Sequence, residues 1–200
     1  MSRVAGVVLA AGSGSRMGAP KAALVVGGAP LLDHAVGALT GAGCAPVVAV
    51  VRAGTSAPEP AHAVVNPEPE RGMRSSLQLG VDAAGGADAV AVLLVDTPGI
   101  GAAAVRAVVR GWTPGRIAVG RYAGRRGHPT VMSAALWREA LELAAPDEGA
   151  RALLAARPDL VDEIGVPGRA DDLDTPDDLA RWEGRARREG PLGTVRWTRE

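Results

Sequence analysis

Residues 4–21 read Val-Ala-Gly-Val-Val-Leu-Ala-Ala-Gly-Ser-Gly-Ser-Arg-Met-Gly-Ala-Pro-Lys, an apolar run that leads directly into a glycine-rich loop. The first six of these residues carry no polar side chain. Such a run predicts a short strand that is buried on both faces, as strands are in a parallel sheet. The segment therefore favours a sheet with helices on either side, and the loop lies where a strand of that sheet ends.

Short apolar runs like residues 4–9 recur and alternate with amphipathic stretches. The runs predict strands at 46–51, 63–65, 89–95 and 116–119, and the amphipathic stretches predict helices at 31–39, 74–84, 102–109, 134–143, 150–156 and 176–188. This alternation predicts βαβ crossovers, so the expected fold is α/β: a single Rossmann-like, mostly parallel sheet with helices on both faces. Residues 120–131, rich in Gly and Arg, interrupt the pattern and predict a hairpin or edge strand.

Length and charge bound the class of protein. The 200 residues suit one α/β domain, which we expect to span 1–184, before a mixed-charge C-terminal tail over 185–200. The 22 basic residues balance 22 acidic ones, which argues against a nucleic-acid groove. Cys44 is the only cysteine, and the apolar runs are too short for a membrane span or signal peptide. We expect a cytoplasmic protein with neither nucleic-acid nor membrane partners.

The glycine-rich loop has the composition of a phosphate-binding site. Glycines let backbone N–H groups converge on an anion, Arg16 can bind two phosphate oxygens at once, and Lys21 adds a compact charge. Two familiar phosphate loops do not match, because the dinucleotide pattern needs glycine at Met17 and the P-loop sequence Gly-Lys-Ser/Thr is absent. The loop predicts a triphosphate cradle of a different type.

A carboxylate follows the most apolar predicted strand. Asp96 comes directly after residues 89–95, and a carboxylate beside a triphosphate is a suitable ligand for Mg²⁺. A turn-forming aspartate before Pro98 and Gly99 is the structural alternative. The sequence Asp-Thr-Pro-Gly also occurs in GTPase switch regions, but the chain lacks the P-loop and Asn-Lys-x-Asp elements of that class. Further along, Thr175 predicts a helix N-cap with proline at the first helical position.

Residues 9–21 resemble the signature of the MobA-like NTP transferases, Leu-Ala-Ala-Gly-x-Gly-x-Arg-Met-Gly-x-x-Lys, and are most similar to that of the molybdenum cofactor cytidylyltransferases. The resemblance implies that the loop binds the nucleotide phosphates and that the lysine stabilises charge developing at the α-phosphate. Ala11 favours cytosine, because the guanylyltransferase branch usually has Leu-Ala-Gly-Gly here. The implied nucleotide-binding residues in this loop are Leu9, Ala10, Ala11, Gly12, Gly14, Ser15, Arg16, Met17, Gly18 and Lys21, with Lys21, Arg16 and Asp96 as catalytic residues.

Further stretches match the same family. The Asp-x-Asp-Thr-Pro motif implies that Asp174 joins Asp96 as a Mg²⁺ ligand. The stretch from Asn66 through Gly72 to the Ser-Ser pair implies nucleotide contacts for Asn66 and Ser75, although Ser75 is also a suitable N-cap. The Gly-His-Pro motif completes an acceptor-binding set that consists of Gly72, Ser76, Arg126 and His128; a plain turn is the alternative for the histidine. Residues 147–151, Asp-Glu-Gly-Ala-Arg, match a further family stretch whose role stays open.

The resemblance implies an enzyme that transfers CMP from CTP to the phosphate of molybdopterin or its molybdenum cofactor, with Mg²⁺ as cofactor and pyrophosphate as the second product. The expected ligands are a nucleoside triphosphate, CTP in preference, and a phosphorylated small molecule; a molybdenum hydroxylase is a candidate protein partner. The alternatives are guanylyl transfer to the same cofactor, nucleotidyl transfer to a sugar or alditol phosphate, and, from another class, a non-catalytic nucleotide-binding accessory protein for cofactor insertion.

Overall fold

The computed structural model describes residues 2–189, in which nine strands and six α-helices follow one another. The strands are β1 (Val4–Leu9), β2 (Val25–Val26), β3 (Ala29–Pro30), β4 (Val47–Val51), β5 (His62–Val65), β6 (Ala89–Leu94), β7 (Ile117–Tyr122), β8 (Arg125–Met132) and β9 (Val161–Gly165). The helices are α1 (Leu31–Ala42), α2 (Met73–Ala83), α3 (Ala102–Gly111), α4 (Ala134–Leu143), α5 (Arg151–Ala156) and α6 (Pro176–Glu189). Every predicted strand and helix is present, with boundaries that differ by at most a few residues.

Seven of these strands form one sheet in the order β5-β4-β1-β6-β8-β7-β9. Strands β5, β4, β1 and β6 are parallel neighbours, β8 runs antiparallel between β6 and β7, and β9 is parallel to β7. Strands β2 and β3 pair separately as a short antiparallel hairpin. The predicted α/β fold with a mostly parallel sheet is confirmed.

The irregular segment 120–131 forms most of a hairpin, as predicted, but its second strand does not lie at an edge. Val131 of β8 is paired with Ala91 of β6 on one side and with Ala118 of β7 on the other. The edge beyond β7 is occupied by β9, which the sequence did not predict. This strand is short and incompletely buried, and its sequence, Val-Asp-Glu-Ile-Gly, includes two acidic residues. It therefore lacks the apolar run that identified the other strands.

Helices cover both faces of the sheet, which explains why β1 is apolar throughout. Its alternate side chains point to opposite faces, so Val4 and Val8 pack in the cluster that includes α1 and α3, whereas Ala5 and Val7 pack in the cluster that includes α2 and α4. Gly80 lets α2 lie directly on the strand, because a Cβ at this position would be 2.5 Å from Cγ1 of Val7. This close contact between α2 and β1 fixes the distance of the helix from the sheet.

Local signals set the ends of several helices. Helix α1 stops where Gly43 adopts a φ of 92° and its N–H bonds back to the Leu39 carbonyl, the left-handed ending that glycine permits. Helix α4 begins after Ser133, whose hydroxyl accepts a hydrogen bond from the Leu136 N–H. None of the helices in residues 2–189 combines the length and the hydropathy that crossing a bilayer requires.

The sheet brings the predicted functional segments to one edge. Leu9 and Leu94 are paired at the ends of the parallel strands β1 and β6, so the glycine-rich loop and Asp96 emerge side by side. Ligands of open α/β sheets bind at this carboxyl edge. Helix α6 continues to Glu189, so the domain boundary expected at residue 184 falls inside a helix; residues 190–200 of the expected tail lie outside the described residues.

Candidate active site

The glycine-rich loop folds tightly back on itself after β1. Gly14 has a φ of 62°, and a Cβ there would lie 1.9 Å from the carbonyl oxygen of Ala19, so the backbone admits only glycine. The Met17 N–H donates to the Gly14 carbonyl over 2.8 Å. At the base of the loop, Arg52 Nη1 donates to the Ala11 carbonyl over 3.0 Å. These contacts shape the loop before any ligand arrives.

Lys21 lies at the centre of the site. Its Nζ donates to Asp96 Oδ2 over 2.6 Å and to Asp174 Oδ1 over 2.5 Å, although the two carboxylates are far apart in sequence. The side chain is only 15% exposed, and this burial acts to lower its pKa; the hydrogen bonds to Asp174 and Asp96 outweigh it, so the pKa is raised. Lys21 therefore stays cationic and pairs with both carboxylates at once.

Arg16 adds a second cation at the rim. Its Nη1 lies 3.4 Å from Asp174 Oδ2, and 71% of its side chain is exposed, against 36% for Asp174. Because this ion pair is exposed to water, it contributes little to stability. Arg16 is thus free to turn towards an incoming anion.

Asp174 is held in place by the start of α6. The Asp178 carboxylate accepts hydrogen bonds from the Asp174 N–H (3.2 Å) and the Thr175 N–H (2.8 Å), while Thr175 Oγ1 accepts from the Asp178 N–H (3.2 Å). Thr175 acts as the predicted cap, with reciprocal bonding between the cap and the first turn. The Leu173 N–H also donates to the Asp96 carbonyl over 2.9 Å, which joins this segment to the end of β6.

The carboxylates of the site fit a hard divalent cation. Asp96 Oδ1 is buried and has no hydrogen-bond partner among the described residues, while its Oδ2 is taken by Lys21. A buried carboxylate oxygen without a partner destabilises the folded state unless a cation or a hydrogen-bond donor binds it. Within residues 2–189, no three His, Cys, Asp or Glu side chains converge on one point. A metal here would take its other ligands from water and phosphate, which is how Mg²⁺ usually binds.

Asp172 is a third carboxylate that sequence reasoning did not assign to the site. Asp172 lines the same cleft. Its burial and the nearby negative charges of Asp96 and Asp174 raise the pKa of its carboxyl group to about 6. The signal for it was present, because Asp172 is the first aspartate of the Asp-x-Asp motif that supplied Asp174. Its side chain makes the site more acidic than the pair of predicted metal ligands alone.

A cleft of about 710 Å³ opens over these residues and gathers most of the predicted set. The predicted residues that line it are Leu9, Ala11, Gly12, Gly14, Ser15, Arg16, Lys21, Gly72, Ser76, Asp96 and Asp174. Three predicted residues, Ala10, Met17 and Gly18, do not line the cleft. Ala10 is buried and its N–H donates to the Val50 carbonyl. Met17 bonds to Gly14 within the loop, and Gly18 takes a positive φ there. Glu70 and Met73, which the sequence analysis did not single out, also line the cleft, as do Asp147 and Arg151 of the stretch whose role the sequence left open.

Asn66 and Ser75 face each other beside the cleft. The buried Asn66 side chain donates from Nδ2 to Ser75 Oγ (2.9 Å) and to Ser76 Oγ (3.0 Å), and its Oδ1 accepts from the Glu68 N–H. The N-cap of α2 is Gly72, so the N-cap alternative for Ser75 is wrong. Asn66 fixes the start of α2, and direct contact of Asn66 or Ser75 with a nucleotide stays a prediction.

The structure does not bring Arg126 and His128 into the cleft. Arg126 Nε donates to Glu163 of β9 over 2.6 Å, across the intervening strand β7. The His128 ring bonds through Nδ1 to the Val92 carbonyl (3.2 Å), and burial lowers its pKa against the opposing effects of that carbonyl and Asp96. In this arrangement both side chains have protein partners, and their contact with an acceptor stays a prediction.

Comparison with known proteins agrees with this geometry. Nicotine blue oxidoreductase from Paenarthrobacter nicotinovorans is 36% identical over 194 residues, which cover 89% of this chain and 95% of the relative. The crystal structure of Rv0371c from Mycobacterium tuberculosis H37Rv has a TM-score of 0.79 at 26% identity, over 92% of this chain and 98% of that one. The same protein has been solved in complex with manganese, with a TM-score of 0.72 at 25% identity, over 92% and 99% of the two chains.

A nucleotidyl transferase from Methanothermobacter thermautotroptrophicus, Mth528, shares the fold, with a TM-score of 0.77 at 22% identity over 94% of this chain and 99% of that one. The family model described as the MobA-like NTP transferase domain matches residues 6–161, which include the loop, Lys21 and Asp96. The chain belongs to the MobA-like NTP transferase family and is a nucleotidyltransferase-like enzyme.

Proposed function

We propose that this enzyme transfers CMP from CTP to the phosphate of molybdopterin, or of its molybdenum cofactor, and releases pyrophosphate in a reaction that requires Mg²⁺. The observation that carries the proposal is the contact of Lys21 with both Asp96 and Asp174 at the end of a glycine-rich loop. It combines a phosphate cradle with two carboxylates suited to a divalent cation. The choice of CTP and of the acceptor is supported by the likeness to cytidylyltransferases, at Ala11 and the Gly-His-Pro motif.

The residues suit an in-line displacement. An oxygen of the acceptor phosphate attacks the α-phosphorus, the bond from that phosphorus to the bridging oxygen breaks, and its electron pair leaves with pyrophosphate. A divalent cation at Asp96 and Asp174 would neutralise the phosphate oxygens. Lys21 would donate a hydrogen bond to an oxygen of the α-phosphate, where negative charge develops. An ionised phosphate is already nucleophilic, so the mechanism uses no protein nucleophile.

The test is Mg²⁺-dependent pyrophosphate release with each of CTP, GTP, ATP and UTP, with and without molybdenum cofactor. The proposal expects release with CTP only when the cofactor is present. Release with GTP would indicate the guanylyltransferase alternative, and release only with a sugar or alditol phosphate would indicate another acceptor. Absence of turnover with every combination would favour an accessory protein, in which case binding to a molybdenum hydroxylase becomes the assay of interest.

A second candidate function follows from the relative that is named an oxidoreductase. The name of that protein, which is 36% identical over nearly its whole length, supports an oxidoreductase as the alternative. The glycine-rich loop would then hold the phosphates of a dinucleotide cofactor. The pair of carboxylates on Lys21 favours nucleotidyl transfer, because hydride transfer does not require a cation site beside the phosphates. Oxidation of reduced nicotinamide dinucleotide without pyrophosphate release would support the second candidate.

A further inference from the structure

The ammonium group of Lys21 lies between the two carboxylates that the proposed mechanism gives to a divalent cation. Its Nζ is 2.6 Å from Asp96 Oδ2 and 2.5 Å from Asp174 Oδ1. Carboxylate oxygens around one small cation are also the ligands that Mg²⁺ and Mn²⁺ prefer in proteins. The lysine therefore takes the position and the partners of the metal ion.

This pair of carboxylates carries too little negative charge for two cations. A divalent ion on any oxygen of Asp96 or Asp174 would lie within a few ångströms of Nζ, and like charges so close repel strongly where water is scarce. The side chains of Lys21 and Asp96 are 15% and 16% exposed, so water screens this repulsion poorly. Lys21 and the metal ion therefore compete for the same two partners.

The two carboxylates are held in place, and the lysine side chain is the part that is able to move. The start of α6 holds Asp174, and the Leu173 N–H donates to the Asp96 carbonyl over 2.9 Å. The backbone of Lys21 is also held, because the Leu24 N–H donates to its carbonyl over 3.1 Å. A flexible four-carbon stem separates that backbone from the ammonium, which reaches the glycine-rich loop of the same cleft by side-chain rotation alone.

We propose that Lys21 is a built-in competitor of the divalent cation: its ammonium holds Asp96 and Asp174 until the cation binds, and cation binding releases it to the glycine-rich loop. The ion gains the buried Asp96 Oδ1, which has no hydrogen-bond partner among residues 2–189. The released ammonium then lies beside the phosphates of a nucleotide in that loop. The inference rests on the proposed function in that a divalent cation binds at Asp96 and Asp174.

The competition couples the cation to the nucleotide. A cation that binds alone leaves the Lys21 ammonium without its two partners, whereas a cation that arrives with a triphosphate gives the ammonium new partners in the phosphate oxygens. By linkage, each of the two ligands strengthens the binding of the other. The site thus binds a free divalent ion weakly and an ion with its triphosphate tightly.

The first measurement is the dissociation constant of Mn²⁺ without nucleotide, from the electron paramagnetic resonance signal of the free ion. Lys21→Met keeps a flexible, unbranched side chain but removes the competing charge. We expect it to bind Mn²⁺ about tenfold or more tightly than wild type, because two carboxylates are left without their cation. Asp96→Asn should bind the ion more weakly than wild type, which locates the site.

Arg16→Gln is the matched control for the loss of one positive charge. Arg16 also lies next to Asp174, but at 3.4 Å and with 71% of its side chain exposed. The loss of this charge should change the Mn²⁺ affinity by less than about threefold. An increase equal to that of Lys21→Met would mean that any nearby charge has this effect, and it would overturn the competition.

A second measurement uses the wild-type protein, so it does not depend on how the variants fold. The chain has no lysine besides Lys21, so an amine-acylating reagent modifies this side chain and the terminal α-amino group, which peptide mass spectrometry separates. Mg²⁺ without nucleotide should raise the acylation rate of Lys21 several-fold and leave that of the α-amino group unchanged.

Two results would overturn the competition and leave the proposed function intact. One is a Mn²⁺ affinity of folded Lys21→Met that is equal to or below that of wild type. The other is an acylation rate of Lys21 that saturating Mg²⁺ leaves unchanged or lowers. If neither wild type nor Lys21→Met binds Mn²⁺, with or without CTP, the proposed function fails as well.

Discussion

Lys21 is the sole lysine of the chain; every other one of its 22 basic residues is arginine. The site explains why an ammonium is used here. Its compact charge fits between Asp96 and Asp174 and can turn from the carboxylates to a phosphate, whereas a planar guanidinium would hold one carboxylate in a fixed fork. The proposed mechanism depends most on Lys21, and at this position lysine and arginine are not interchangeable.

Replacement of this lysine should abolish most turnover without unfolding the protein. Lys21→Ala removes the group that stabilises charge at the α-phosphate, and we expect the rate of pyrophosphate release to fall by about 10²–10³-fold. Circular dichroism should remain that of wild type, because the side chain packs at the cleft and not in the core. Turnover equal to wild type in a folded variant would rule out the mechanism as drawn.

The buried, unpaired Asp96 Oδ1 makes a separate prediction about metal. Manganese should raise the midpoint of thermal unfolding of wild type by about 2–5 °C, because a ligand that binds only the folded state stabilises it. In Asp96→Asn the shift should be at most half as large, since an amide oxygen binds the cation more weakly. Asp82→Asn is the control, as Asp82 is exposed and its side chain accepts a hydrogen bond from Gln78. An equal shift in all three proteins would place the metal elsewhere.

At the scale of elements, the height of α2 above β1 positions Gly72 and Ser76 in the cleft. Gly80→Ala places a methyl group 2.5 Å from Cγ1 of Val7, so we expect the free energy of unfolding to fall by about 1–2 kcal/mol. Gly37→Ala on α1 meets nothing within 4 Å and should be neutral or stabilising, by up to about 1 kcal/mol, through helix propensity. Urea denaturation separates the two; equal effects would contradict close packing at Gly80.

The elements that sequence predicted are those with a strong apolar signal. Strands such as β1 and β6 are buried on both faces, and their composition alone identifies them. Strand β9 carries Asp162 and Glu163, which bind arginines of β7, β8 and the segment before β7, so its stability comes from partners distant in sequence. The position of β8 inside the sheet likewise depends on pairing with β6, which no local pattern reports.

The same limit applies within the site. The loop residues and Asp96 follow apolar strands directly, so the sequence predicted their shared edge. Asp147 and Arg151 enter the cleft because a loop before α5 folds against α2, a contact between distant segments. Arg126 was predicted at the acceptor side, but it is bound to Glu163, a residue of the strand that the sequence did not predict.

At the scale of the molecule, charge is balanced overall but not within the cleft. The chain has 22 basic and 22 acidic residues, yet the cleft is lined by five carboxylates, against the three cations Arg16, Lys21 and Arg151. The carboxylates are those of Glu70, Asp96, Asp147, Asp172 and Asp174. A triphosphate would therefore meet a site with an excess of negative charge, and we predict that its binding requires a divalent cation. Any nucleotide chemistry at this site should stop when the cation is chelated.

The most direct test of nucleotidyl transfer follows the phosphorus atoms of CTP. With molybdenum cofactor and Mg²⁺, a radiolabel on the α-phosphate should move to the cofactor and one on the γ-phosphate should leave in pyrophosphate, in equal amounts. Both transfers should stop with a chelator and in Lys21→Ala. Release of the γ label as inorganic phosphate, or oxidation of reduced nicotinamide dinucleotide while both labels stay in CTP, would contradict the account.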